Sequence, residues 1–159
     1  MSLKLRPATA QDSAQIIQFI QALALYEKEP DAATVTEADL LRDGFGEQPL
    51  FQVELAEWKG QPAGFAFYFF NYSTWLGKNG LYLEDLYVSP EHRQAGAGKA
   101  LLKHLARIAL KNNCGRFEWS VLDWNEPAIR FYQSLGAKAQ DEWVAYRLQG
   151  EEIETLARS

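Results

Sequence analysis

Two short stretches of this chain carry residue types that can do chemistry. The first is Arg93-Gln94-Ala95-Gly96-Ala97-Gly98-Lys99, two glycines placed just before an apolar-periodic run at 99–110 that reads as a helix. Glycine lacks the Cβ that would keep a ligand off the backbone, and the first turn of a helix offers free N–H groups at a positive pole. A phosphate suits that position, although glycines before a helix also serve plain turns. Two familiar nucleotide loops are excluded by spacing. Arg93 stands where a P-loop needs its first glycine, Ala100 stands where it needs a magnesium-holding hydroxyl, and G-x-G-x-x-G does not occur.

The second stretch is Glu84-Asp85, set inside the otherwise apolar strand pattern of residues 81–88. Side chains alternate along a strand, so the two carboxylates are expected on opposite faces of a sheet, at least one of them where burial is costly. Such a group hydrogen-bonds a neighbouring loop, marks a solvent-facing patch, or is kept for proton transfer.

Composition narrows the field. A chain of 159 residues, 47% apolar and 23% charged, suits one globular domain over 1–159. No apolar run approaches the roughly 18 residues of a membrane span, and residues 1–7 lack a signal core, so a cytoplasmic protein without membrane association is expected. The net charge of -5 argues against nucleic acid and is compatible with a cationic small molecule. One cysteine, Cys114, and two histidines, His92 and His104, are too few for a metal cluster, so no metal is expected.

Periodicity and turn residues supply the elements that must position these groups. A strand at 3–6 precedes a helix capped by Thr9 with Asp12, whose buried face is Ile16, Ile20, Leu23 and Ala24. Thr36 and Asp39 open a second helix closing near Gly44. Strands follow at 51–58, 63–70 and 81–88, then the glycine turn and a helix with Leu101, Leu105, Ile108 and Ala109 inward. A strand at 117–122, a helix capped by Asn125 with Pro127 in its first turn and Gly136 past its end, a strand at 143–148 and a tail helix at 151–157 complete the chain. An antiparallel front joined to strand-helix-strand units is an α+β mixed sheet.

This order of elements, with Arg93, Gly96 and Gly98 matching a [QR]-x-x-G-x-[GA] pattern, resembles the GNAT N-acetyltransferase superfamily. The resemblance covers nearly the whole chain. It is sharpest toward the diamine branch, the spermidine/spermine and thialysine acetyltransferases. The matching segments are Arg6-Pro7-Ala8-Thr9, Leu25-Tyr26-Glu27, Asp43-Gly44-Phe45-Gly46-Glu47, Tyr82-Leu83-Glu84-Asp85-Leu86 and Trp124-Asn125-Glu126-Pro127-Ala128-Ile129-Arg130-Phe131-Tyr132. The implied fold is the GNAT acyl-CoA N-acyltransferase fold, a twisted, mostly antiparallel mixed sheet flanked by helices.

The implied activity is direct transfer of acetyl from acetyl-CoA to a primary amine of a small cationic substrate in a ternary complex. An alkylammonium has a pKa of about 10.4, so at pH 7 only roughly one molecule in a few thousand has a free lone pair, and the site must take a proton. The resemblance makes Glu84 the base, directly or through water, with Asp85 a second carboxylate. It makes Tyr132 the acid that protonates the departing thiolate; read from its residues alone, Tyr132 is an aromatic packed beneath the sheet. Arg93, Gln94, Ala95, Gly96, Ala97, Gly98 and Lys99 would hold the pyrophosphate, mainly by main chain. Leu86, Tyr87 and Val88 would pair with the pantetheine arm, and Asn125, Pro127, Ala128 and Tyr132 would complete the cofactor contacts. Tyr26, Glu27, Glu84, Asp85, Glu118, Trp119 and Ser120 would line the amine site.

The stretch Asp141-Glu142-Trp143-Val144 departs from the acidic run of polyamine-acetylating relatives. That weakens the case for long polyamines, whose second ammonium needs its own negative partner. Relatives of this branch are homodimers, and the aromatics at 67–70, Tyr72 and Trp75 are candidates for an interface. A CoA-binding sensor without turnover and a protein-lysine acetyltransferase are the alternative readings.

Overall fold

A computed structural model describes residues 2–159, and the chain divides into two compact units, Met1–Ser120 and Val121–Ser159. The first holds one five-stranded sheet in the order β1 (Leu3–Pro7), β2 (Gln52–Trp58), β3 (Gln61–Ser73), β4 (Lys78–Val88), β5 (Arg116–Trp119). Neighbours run antiparallel except β4 and β5, which are parallel. Sequential hairpins explain the first four strands. Lys59 and Gly60, at φ 51° and 81°, make the tight turn between β2 and β3, where two residues of positive φ match the strand twist. The parallel step needs a crossover, which is α3 (Ala97–Lys111).

Helices cover the sheet. α2 (Glu37–Gly44) starts at its expected capping box, and the expected box at Thr9 opens a 3₁₀ turn, Ala10–Asp12, that runs into α1 (Ser13–Tyr26). Thr36 N–H donates to Asp39 at 2.9 Å while the Asp39 N–H donates back to Thr36 Oγ1 at 3.1 Å. Asp12 closes the other box, accepting from Thr9 N–H at 2.7 Å, and is held by two Arg6 bonds of 2.9 Å each. The Arg6 guanidinium, ahead of the opposing cost of burial, lowers the Asp12 carboxyl to about 2.

The core on this face is Ile16, Phe19, Leu40, Val53, Leu55 and Phe65. Phe19 takes the central place expected of Ile20, which is half-buried, because its ring stacks on Phe65 at 5.5 Å between centroids. α3 covers other sheet residues with Ala97, Leu101, Leu102, Leu105 and Ala109.

The second unit contains α4 (Glu126–Ser134) and α5 (Glu151–Arg158). Asn125 caps α4 through Ala128 N–H at 3.4 Å, and Gly136 beyond its end has φ 88°, both as the sequence indicates. The strand expected at 143–148 is not formed. A strand requires a partner for its backbone donors and acceptors, and this unit offers no other strand among the described residues. Tyr146 is 95% exposed there. No helix among the described residues is long and apolar enough to cross a membrane.

Candidate active site

One irregularity in β4 organises the first unit's chemistry. Tyr68 pairs with Leu83 and Phe67 with Asp85, so Glu84 is an extra residue in the ladder, a β-bulge. The bulge reverses the parity of the strand. Leu81 and Leu83 partner Phe70 and Tyr68, whereas Asp85 and Tyr87 partner Phe67 and Phe65 on the opposite face, beside α1. The expected simple alternation of Glu84 and Asp85 therefore does not hold, since alternation assumes an unbroken ladder. Asp85 is half-buried, while Glu84 is exposed.

Asp85 is the most perturbed acid of the site. Burial first, then the negative charges of Glu84 and Glu27, push its carboxyl up from 3.8 to about 7. Glu27 follows the last turn of α1, at the helix's negative pole, and burial raises its carboxyl too. Three acids and a helix C-terminus thus converge with no ion-pairing cation on any of the three among the described residues. Such a place favours a cation from outside. Tyr26 stands beside Glu27, with the Arg93 guanidinium 5.5 Å from the centre of its ring.

Other residues expected around an amine lie on or just past β5. Glu118 is matched by Arg116 at 3.3 Å, so its charge is already answered inside the chain. The Ser120 hydroxyl shares a 2.9 Å hydrogen bond with the Tyr82 hydroxyl, and the Trp119 ring lies 5.0 Å from that of Phe117.

The β4–β5 ladder ends at Leu83 and Trp119, immediately before the bulge. Beyond it, residues 85–88 pair only with β3 among the described strands, so their other backbone edge borders no strand. Arg93 Nε occupies part of that edge, donating to the Val88 carbonyl at 3.1 Å. The glycine turn follows. Pro90–Ala95 form a 3₁₀ turn rather than an open loop, and Gly96 at φ 77° caps α3 in the left-handed region. Gly98 has ordinary helical geometry, and a Cβ there would meet nothing closer than Val88 Cγ2 at 3.7 Å. The protein's own packing does not demand glycine at 98, so the bare backbone at the helix N-terminus fits an approaching phosphate. Ala97 is buried beneath it and Lys99 is exposed beside it.

In the second unit, Pro127 and Ala128 form the first turn of α4 and Tyr132 lies further along, half-buried, its ring 5.7 Å from that of Phe131. No cluster of three or more potential metal ligands occurs among the described residues. Sequence reasoning missed the bulge, which has no residue signature, and the burial of Asp85 that follows from it. The adjacency of two acids in an apolar strand was the available signal.

Residues 15–137, running through both units, match the Acetyltransferase (GNAT) family. The chain is 41% identical to a thialysine N-epsilon-acetyltransferase of Sus scrofa, with 98% of each chain covered. It is 39% identical to the human spermidine/spermine N(1)-acetyltransferase-like protein 1, covering 97% of this chain and 24% of that one. Among solved structures, an integron cassette protein from the mobile metagenome of V. cholerae superposes with a TM-score of 0.84 at 31% identity, covering 100% of this chain and 99% of the other.

Proposed function

We propose, from the premise that the chain belongs to the acetyltransferase (GNAT) family, that its carboxylate cluster receives the ammonium group of a small amine. The protein is an acetyl-CoA-dependent N-acetyltransferase. Acetyl-CoA supplies the activated acetyl group as a thioester; the rest is done by side chains and backbone of this chain. The observation that carries the amine reading is the convergence of Glu27, Glu84 and Asp85, none of them in an ion pair among the described residues.

The amine arrives protonated and must lose that proton before it attacks. Glu84 and Asp85 act as a pair in this step. Asp85, held near 7, is the second carboxylate, which gains its charge beside the ammonium around neutral pH. Glu84, open to solvent, takes the proton directly or through water and passes it out. Glu27 and Tyr26 line the amine's side chain, with residues 118–120 beyond them. The edge at Leu86, Tyr87 and Val88 holds the pantetheine arm, the turn from Arg93 to Lys99 holds the pyrophosphate, and Asn125, Pro127 and Ala128 add contacts to the cofactor. Tyr132 gives the departing sulfur its proton.

A diamine or a lysine-like amino acid such as thialysine fits best, since Glu118 is already paired with Arg116 and so offers no free negative partner for the additional ammonium groups of a long polyamine. The Sus scrofa relative bears the thialysine name. A homodimer accords with this branch, and the exposed residues Tyr72 and Trp75 are surfaces that a second copy would cover. Light scattering tests that separately.

The deciding experiment is thiol release from acetyl-CoA across putrescine, spermidine, spermine, lysine, ornithine and thialysine. Turnover with the short amines and poor turnover with spermine supports the reading. Tight acetyl-CoA binding with no thiol released by any amine would return the protein to the sensor class, and turnover only on lysine peptides would make it a protein acetyltransferase.

A further inference from the structure

We propose that Glu54 and His104 are positioning residues, whose hydrogen bond fixes where α3 sits along the sheet and therefore where the phosphate turn at its N-terminus stands. This inference rests on the acetyl-CoA reading above. It concerns a pair lying outside the reacting groups.

The underside of α3 is a row repeating every four residues, Ala97, Leu101, Leu105 and Ala109, all buried. Such a row is nearly self-similar. A slide of one helical turn, about 5.4 Å, sets aliphatic against aliphatic again. The sheet contributes Ala56, Ala66, Leu81 and Leu83, also buried and also smooth. Hydrophobic contact is non-directional, so these surfaces choose weakly between neighbouring axial positions.

Glu54 is the exception in that surface. It lies on β2, 5% exposed, partnered across the ladder with Ala66. Its Oε1 accepts a hydrogen bond from His104 Nε2 at 2.7 Å, while Oε2 is buried with no partner. The other polar group close by is Tyr68 of β3, whose phenol is pushed up to about 12 by burial and then by the Glu54 charge.

A buried carboxylate with one oxygen unsatisfied is a poor stabiliser, and apolar residues of similar volume commonly serve as well or better. Stability therefore does not account for the pair. What it supplies is direction, because a 2.7 Å contact between one atom on β2 and one on α3 exists at a single axial position. Residue 104 lies seven residues beyond Ala97, about 10 Å along the helix, too far to touch a phosphate itself. The helix transmits that fixed point to the N–H groups at Ala97 and Gly98.

The test separates position from stability. Purified Glu54→Leu/His104→Leu, His104→Gln and wild type are compared by thermal melting, by calorimetric titration with CoA, and by KM for acetyl-CoA and for amine. The apolar double variant is expected to melt no lower than wild type, yet to bind CoA about tenfold or more weakly, since misplacements near 1 Å carry penalties up to about a hundredfold. Its KM for the amine should hold. His104→Gln, which keeps a donor for Glu54, should stay within about twofold of wild type.

A double variant that is stable and binds CoA normally overturns the inference. So does one that fails to fold, which would make the pair a stability element. Should wild type itself bind no CoA, the functional reading falls instead. The axial position of α3 in a crystal structure of the double variant then decides the inference alone, an unshifted helix refuting it.

Discussion

Replacing Asp85 with asparagine should make the protein more stable and less active, and only at high pH should it do the former. The folded state holds the Asp85 carboxyl near 7 against an ordinary 3.8, mainly through burial. That is about three logarithmic steps at about 1.36 kcal/mol each, a ceiling of about 4 kcal/mol. The sign follows from proton counting. Between pH 4 and 7 the folded state binds a proton that the unfolded state has released, so stability falls as pH rises through that window and the full cost is present above it. Asparagine has the shape of the protonated acid and cannot ionise. The assay is urea denaturation of wild type and Asp85→Asn at pH 4 and pH 8, read by linear extrapolation. A gain at pH 8 of at least about 1 kcal/mol beyond that at pH 4 is expected, a fraction of the ceiling because a charged carboxylate draws in water. An equal effect at both pH values, or a loss at pH 8, would refute the account of Asp85 as a buried acid held protonated.

The same ionisation should govern the substrate. KM for the amine should fall as pH rises through about 7, where Asp85 gains its charge, and this inflection should vanish in Asp85→Asn. Gly98→Ala should leave thermal stability unchanged or raise it by about 0.5–1 kcal/mol, the helix preference for alanine, while KM for acetyl-CoA rises. Bulkier residues at 96 or 98 should weaken acetyl-CoA more than Arg93→Ala does, and the reverse order would remove the main-chain reading of the turn. Asp12→Ala should cost about 1–2 kcal/mol at pH 7, since it removes both a cap and an Arg6 partner, with kcat unchanged.

Much of the frame was legible because it rests on local devices. The Thr9 and Thr36 boxes, the Asn125 cap and Gly136 name helix ends by direct chemistry, and the strands of the first unit announce themselves by apolar runs. The glycine turn before α3 was legible for the same reason. What failed depends on partners distant in sequence. Residues 143–148 have a strand's composition but no strand to join. Phe19 displaced Ile20 through a ring in β3 that no helical periodicity can report. The inequality of Glu84 and Asp85 came from a ladder irregularity, and Glu54 with His104 are fifty positions apart.

The bulge at Glu84 carries one more consequence. Because Leu83 and Asp85 already partner consecutive residues of β3, Glu84 is surplus to the pairing. Deleting it would mend the ladder rather than shift it, leaving every other cross-strand partner in place. The sheet would then be free to zip β5 further along β4, closing the backbone edge left open beyond Leu83. A single inserted residue thus sits where β4 stops being shared by two neighbours and keeps only one.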